Sequence, residues 1–347
     1  MNGESRVGAA SRGSRIALCS IAVGAIVILT VLGVVLTVSP AAPRASAPGR
    51  IVAFSAPAPC PVGSDPGVPA YNPVNHDLYV PDAQSGNITV VTSGCHAVAS
   101  IALPSMAGPS AIVYDPADNY LYVTDSYYGS VYVLHNLRLI HTFPASKLDC
   151  PSAPAYDPVL GDVVIGSHCG SPQLVFLNGT LIVKHIGSSK IWTDPDPGVY
   201  DPASGRFLVA YTGGGNVTFY NPSSFAVLGH IAVGADPMAI AYDPANNLDY
   251  VASYSARTVT VFSSSGAGTS HGTIAVGSGP TSIAYSPKTL EVYVANSESA
   301  NVSVINGTSL KAPIALSSFA MPDGLVYDPS NLKMYVADAQ HAQIDKL

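Results

Sequence analysis

The sequence predicts an all-β chain: a seven-bladed β-propeller of four-stranded blades, closed by an N-terminal strand and preceded by one transmembrane helix. Three observations predict it: a turn-rich composition, a tripeptide that recurs seven times at a near-constant interval, and a long uncharged apolar run near the N-terminus. Only 11% of the 347 residues are charged and 48% are apolar, while 31 glycines and 29 prolines supply turns throughout. Short strands separated by frequent turns have this composition, and helical proteins do not.

The apolar run comes first in the chain. Residues 16–38, IALCSIAVGAIVILTVLGVVLTV, contain no charge. As a helix they span about 35 Å at about 1.5 Å per residue, enough for a hydrocarbon core of about 30 Å. Arg6, Arg12 and Arg15 lie in the short segment 1–15 before it, and a basic flank holds that side in the cytoplasm, which sends the rest of the chain outside. The alternative is a cleaved signal peptide, for which Ala45-Ser46-Ala47 offers a small-residue cleavage site. The length of the run, beyond the 7–15 apolar residues usual in signal peptides, favours an uncleaved anchor. Residues 39–49, SPAAPRASAPG, have too little apolar area to pack and form a short extended tether. The propeller is expected over residues 50–347.

Only Glu4 and five arginines precede residue 51, so the remainder carries 21 acidic against 10 basic residues, a net charge of −11. This excludes nucleic acid as a partner, because phosphates demand a basic face.

The repeat is a Tyr followed by Asn, Asp or Ser and then Pro. It occurs at Tyr71-Asn72-Pro73, Tyr114-Asp115-Pro116, Tyr156-Asp157-Pro158, Tyr200-Asp201-Pro202, Tyr242-Asp243-Pro244, Tyr285-Ser286-Pro287 and Tyr327-Asp328-Pro329, with spacings of 43, 42, 44, 42, 43 and 42 residues. A period of this length marks a propeller blade. Each tripeptide opens a tight turn, and a short apolar strand follows, centred on Tyr79, Tyr122, Val164, Leu208, Tyr250, Tyr293 and Tyr335. A third strand alternates apolar and small polar residues, as in Ile88-Thr89-Val90 and Val302-Ser303-Val304, and a fourth follows at Ile101, Ile231, Ile274 and Ile314. The chain ends on the third strand of the seventh repeat. Ile51-Val52-Ala53-Phe54 is therefore expected to supply the missing strand and close the ring.

The units Leu121-Tyr122-Val123-Thr124-Asp125, Val292-Tyr293-Val294-Ala295-Asn296 and Met334-Tyr335-Val336-Ala337-Asp338, with Gly234-Ala235-Asp236-Pro237 upstream of one anchor, resemble the YVTN-family β-propeller repeat. The resemblance covers residues 51–347. It implies a propeller like those of archaeal surface-layer and cell-surface binding proteins, and related propellers include lactonases and a streptogramin lyase. Repeats three and four depart from the pattern, reading Val163-Val164-Ile165-Gly166-Ser167 and Phe207-Leu208-Val209-Ala210-Tyr211.

The position eleven residues after each anchor falls near one face of the channel and reads Asp82, Asp125, Ser167, Tyr211, Ser253, Asn296 and Asp338. Asp82, Asp125, Tyr211, Asn296 and Asp338 are the candidate ligand-binding ring, and its oxygens suit a small ligand or Ca²⁺. The same side chains could instead cap their own turns. Nine histidines fall at different repeat positions, and His168 alone is expected on the ligand face. No nucleophile elbow, zinc-peptidase motif, P-loop or dinucleotide fingerprint occurs, so no catalytic residue, metal or cofactor is assigned.

Cys19 lies in the apolar run, leaving four cysteines for an oxidising compartment. Cys150 and Cys169 are expected on one face as a disulfide. Cys60 and Cys95 pair by elimination, although the repeat phase puts Cys95 in a turn on the opposite face. Sequons stand at Asn87, Asn178, Asn216, Asn301 and Asn306. They are either glycan acceptors or strand-opening turns. The expected function is a non-enzymatic recognition or scaffold module, held to the membrane by its helix and displayed outside to a protein or glycan partner. A secreted lactonase- or lyase-type enzyme and a surface-layer lattice subunit are the alternatives.

Overall fold

The computed structural model describes residues 59–148, 150–169, 172–187 and 194–347. The segments 1–15, 16–38 and 39–49 and the strand expected at Ile51–Phe54 lie outside them. Among the described residues no helix is long and apolar enough to cross a membrane.

Seven separate antiparallel sheets follow one another along the chain, one per repeat. The second blade shows the plan: Ala111–Asp115, Tyr120–Asp125, Ser130–His135 and Arg138–Phe143 pair in sequence order from the channel outward. The third-to-fourth pairing slips by one residue at the same place in blades one to five, a β-bulge that adds twist to the outer edge. In blade six the fourth strand is split into Ser309–Leu310 and Ile314–Ala315. Pro313, which has no N–H to give a ladder, lies in the gap.

The anchor tripeptide works the same way in every blade. The Asx or Ser side chain accepts the backbone N–H two or three residues on, from Val74, Ala117, Val159, Ala203, Ala245, Thr289 and Ser330. The turn after the first strand is thus fixed by a local bond, with proline setting φ behind it.

Side chains alternate between the two faces of each strand, and each face meets a neighbouring blade. Seven apolar clusters result, one per interface. In the first blade Tyr79 packs toward blade two while Leu78 and Val80 pack toward blade seven.

The ring closes with Cys60–Pro61, which pairs with Gln343–Lys346 as the outermost strand of blade seven. Closure by an N-terminal strand is as expected, but the described closing strand is nine residues later than the one predicted from apolarity. The later strand also resolves the cysteine geometry. Cys60 begins the strand at the face where the Cys95 turn lies, and the Cys60–Cys95 and Cys150–Cys169 disulfides are both formed.

Repeats three and four depart from the pattern for a packing reason. Their shared interface is aromatic: Phe225 meets Phe176 edge-on at 4.4 Å and Phe207 at 5.4 Å, with Lys184 over the first ring. Gly166 stands where the other blades carry alanine, threonine or, in blade one, proline, because the Pro195 carbonyl of the next blade comes to 1.9 Å from where a Cβ would be.

Candidate functional site

The loops that enter each blade and those that follow each second strand share one face, the channel mouth. A proline five residues before every anchor builds it: Pro66, Pro109, Pro151, Pro195, Pro237, Pro280 and Pro322 are all buried. Six of them pair with the residue eleven past the anchor, as Pro195 does with Tyr211 and Pro322 with Asp338. In blades four to seven the register shifts immediately after this proline, leaving Asp196, Met238, Thr281 and Asp323 without a partner in the second strand. A bulge of this kind re-aims side chains, here on the innermost strand.

The five ring residues singled out from the sequence lie beneath this layer, each at most 1% exposed. Asp82 accepts bonds from Thr89 at 2.6 Å and Asn87 at 3.1 Å. Burial holds its carboxyl up at about 6. Asp125 accepts the N–H groups of Gly108 and Tyr128 and the Tyr132 hydroxyl. Tyr211 shares a hydroxyl bond with Tyr220 at 2.6 Å. Asn296 donates to Asn301 and Ser303, and Asp338 accepts from the N–H groups of Met321 and Gln340. Asp125 and Asp338 tie the entering loop of a blade to its second strand, while Asp82, Tyr211 and Asn296 tie the second strand to the third. They do not converge on a common point as metal ligands would, and among the described residues no group of three His, Cys, Asp or Glu side chains is placed to hold a metal ion.

Just above them runs a second set of bonds, between blades. The side chain twelve residues past the anchor reaches the proline carbonyl of the next blade: Ser126 to Pro151 at 2.8 Å, His168 to Pro195 at 2.6 Å and Thr212 to Pro237 at 3.5 Å. A carbonyl only accepts, so His168 holds its proton on Nε2. The same nitrogen lies 3.4 Å from Asp196 Oδ1. Burial pushes the His168 pKa down, with the Pro195 bond and Asp194 opposing, so the ring is neutral near pH 7. Asp196 is 7% exposed, and its Oδ2 has no hydrogen-bond partner among the described residues. Burial first, then Asp194 and Asp236, drive its pKa well up.

His168 is not alone on this face. His341, in the loop after the second strand of blade seven, bonds Asp338 at 2.6 Å. Other mouth carboxylates form two groups, Asp194, Asp196 and Asp236 where blades four and five meet and Asp65 beside Asp323 at the seam of blades seven and one, while Glu298 stands apart and accepts the Tyr254 hydroxyl. Asp323 is held up at about 6 by burial and then by Asp65. Asp65, Asp194 and Asp236 adopt the left-handed backbone, at φ of 59°, 59° and 54°. Their carbonyls receive the N–H groups of Ala83, Thr212 and Tyr254. No lysine or arginine occupies the positions six and four before or twelve after any anchor. The sequence reading missed this layer, whose signal was the sevenfold proline five residues before the tyrosine.

No family model matches the chain, and no curated protein matches it. Solved structures do. The catalytically inactive histidine-to-alanine variant of virginiamycin B lyase from Staphylococcus aureus, crystallised with quinupristin, superposes with a TM-score of 0.70 at 10% identity, covering 82% of this chain and 94% of that one. A chain of Kuenenia stuttgartiensis hydrazine synthase matches with a TM-score of 0.69 at 15% identity over 86% and 99%. The Cps50 (Swd1) β-propeller domain of Myceliophteria thermophila matches with a TM-score of 0.70 at 9% identity over 84% and 98%. A lyase, a synthase chain and a Swd1 domain share this architecture at identities that carry no function. What the likeness shows is the seven-bladed propeller.

Proposed function

We propose that the chain is a non-enzymatic recognition module displayed on the outer side of a cell membrane, and that its channel mouth receives cationic groups of an extracellular protein partner. The observation that carries this reading is the charge of the mouth. Asp65, Asp194, Asp236 and Asp323 gather there, with the buried carboxyl of Asp196 beneath them, while the positions six and four before and twelve after the anchors hold no lysine or arginine. Carboxylates of one sign at a concave rim steer and hold opposite charge. The buried ring of Asp82, Asp125, Tyr211, Asn296 and Asp338 supports the loops that present them. Outward display rests on the basic flank, the apolar run 16–38 and four cysteines committed to disulfides. Kinship with YVTN-repeat surface proteins is part of the same proposal and rests on the repeat units alone.

The test is calorimetric titration of the full chain in detergent with a lysine- and arginine-rich peptide and with an acidic peptide of equal length. The expected result is binding of the basic peptide only, weakening as salt rises, and a loss of about tenfold or more in the Asp194→Asn/Asp236→Asn/Asp323→Asn variant. Equal affinity in wild type and variant would overturn the reading.

A second reading, a lyase-type enzyme, is favoured by the His168–Asp196 pair, in which a neutral imidazole stands beside a buried carboxyl at the mouth. The histidine replaced in the lyase variant belongs to that protein. Here His168 holds the position and the bond that Ser126 and Thr212 hold in other blades. If it serves only as that latch, His168→Thr leaves every function intact. A ring-opening or elimination activity abolished by His168→Thr would establish the enzyme instead.

A further inference from the structure

Five sequons are equivalent in sequence, and the fold separates them into two kinds. Asn87, Asn216 and Asn301 open the third strands of blades one, four and six. Their amides serve the fold. Asn87 Nδ2 donates to Asp82 and to Ser100 at 2.9 Å. Asn301 Nδ2 donates to the Ser299 carbonyl, and Asn216 accepts the Thr218 hydroxyl on Oδ1 and is excluded as an acceptor by its burial, being only 3% exposed. Asn178 and Asn306 are different. Each is exposed and ends a third strand at a two-residue hairpin, Gly179-Thr180 in blade three and Gly307-Thr308 in blade six. Gly179 and Gly307 take the left-handed φ of 58° and 57° that turns the chain, and the threonines required by the sequon are exposed beside them. The Asn306 side chain bonds nothing among the described residues. Asn178 Nδ2 donates to Asp162 Oδ1 at 2.9 Å and to the Gly161 carbonyl at 3.4 Å, and an exposed substituted amide gives up the longer bond and keeps one N–H for the shorter.

We infer that Asn178 and Asn306 are N-glycosylation sites and that Asn87, Asn216 and Asn301 are not. The donor is a polyprenyl-phosphate-linked oligosaccharide. The amide nitrogen bonds the anomeric carbon as the bond from that carbon to the phosphate oxygen breaks, and the lipid phosphate leaves with the amide proton. The inference depends on outward display, since the donor and its transferase act on chains crossing the membrane. Both sites lie at third-to-fourth-strand turns, on the face opposite the channel mouth and three blades apart, so glycans there cover that face and leave the acidic mouth bare.

The experiment is glycopeptide mass spectrometry on the full chain produced through the secretory pathway of a yeast, with disulfide mapping of the same sample. Formation of Cys60–Cys95 and Cys150–Cys169 reports that the chain was exported, so a failure of display is seen separately from a failure of glycosylation. The expected result is glycan on Asn178 and Asn306, bare peptides at Asn87, Asn216 and Asn301, and one mobility step lost in each of Asn178→Gln and Asn306→Gln. An exported, disulfide-bonded chain bare at either exposed site overturns that site's assignment, and glycan on Asn216 overturns the sorting.

Discussion

The two faces of the ring are tied together by the same device, a side chain of one blade bonded to a carbonyl of the next, but with different freedom. On the face opposite the mouth a second-strand tyrosine reaches the third-to-fourth-strand turn of the following blade: Tyr122 to Gly179 at 3.1 Å, Tyr250 to Gly307 at 2.9 Å and Tyr335 to Ser93 at 2.9 Å. Blade four carries Leu208 at that position, and Arg206 bonds the Ser264 carbonyl instead. Blade three carries Val164, and Lys184 bonds the Ser224 carbonyl. At the mouth the donors include Ser126, His168, Thr212 and, from the innermost strand of blade six, Thr281, surrounded by carboxylates that differ from blade to blade. A repeated side chain marks a demand of the fold, whereas the positions free to vary mark where recognition has room to act.

The comparison breaks most readily at the ring seam. Cys60–Pro61 gives blade seven a fourth strand only two residues long, and the Cys60–Cys95 disulfide fastens it. Cys60→Ala/Cys95→Ala is expected to cost about 2–4 kcal/mol, read as a lower denaturant midpoint. Cys150→Ala/Cys169→Ala closes no ring and should cost less; an equal loss would mean that the short strand holds without its staple.

The next effect lies where arginine replaces tyrosine. Asp249 and Asp201 are buried together at the seam of blades four and five, and Ser264 serves both: its N–H goes to Asp249 Oδ2 at 3.1 Å and its hydroxyl to Asp201. Burial, with Asp201 second, lifts the Asp249 carboxyl to about 7. A folded-state pKa above the unfolded value means that the folded chain binds the proton more tightly. This contribution to stability is therefore complete below about pH 4 and lost as pH rises through about 7. Melting temperatures should fall across that window, and Asp249→Asn should flatten the fall and raise the melting temperature at pH 8 by several degrees. A melting profile unchanged by the substitution would place the buried proton elsewhere.

These elements also show what could be read from the chain alone. The blade number, the four strands and the anchor turn were legible because each is a local rule repeated seven times, and Asp115 or Asp243 needs only its own next residues to cap its turn. The closing strand was not, because apolarity pointed to Ile51–Phe54 while the described strand is held by Cys60 and contains a proline. The depth of the candidate ring was not legible either, because the repeat places Asp82, Asp125, Tyr211, Asn296 and Asp338 by blade and not by burial. Asp82 and Asp338 stand out by their recurrence, whereas the bulge after the recurring proline carries a different residue in each blade, Asp196 in one and Asp323 in another, so the proline repeats and the side chain beside it does not.

Smaller effects sharpen the contrast between the faces. Tyr122→Phe, Tyr250→Phe and Tyr335→Phe each remove one hydrogen bond between blades while keeping the ring in its cluster. Each is expected to cost about 1 kcal/mol in chemical denaturation. Asp194→Asn and Asp236→Asn should change stability by less than about 0.5 kcal/mol, because both are partly exposed, their backbone carbonyls hold the N–H groups of Thr212 and Tyr254 whatever the side chain, and the Ser255 hydroxyl that Asp236 Oδ2 accepts can be accepted by the Oδ1 of an asparagine. What they should change is the mouth's affinity for a basic peptide. If instead these two substitutions destabilise the chain as much as the tyrosine variants do, the mouth carboxylates are structural. The division between a face that holds the ring and a face that meets a partner would then fail.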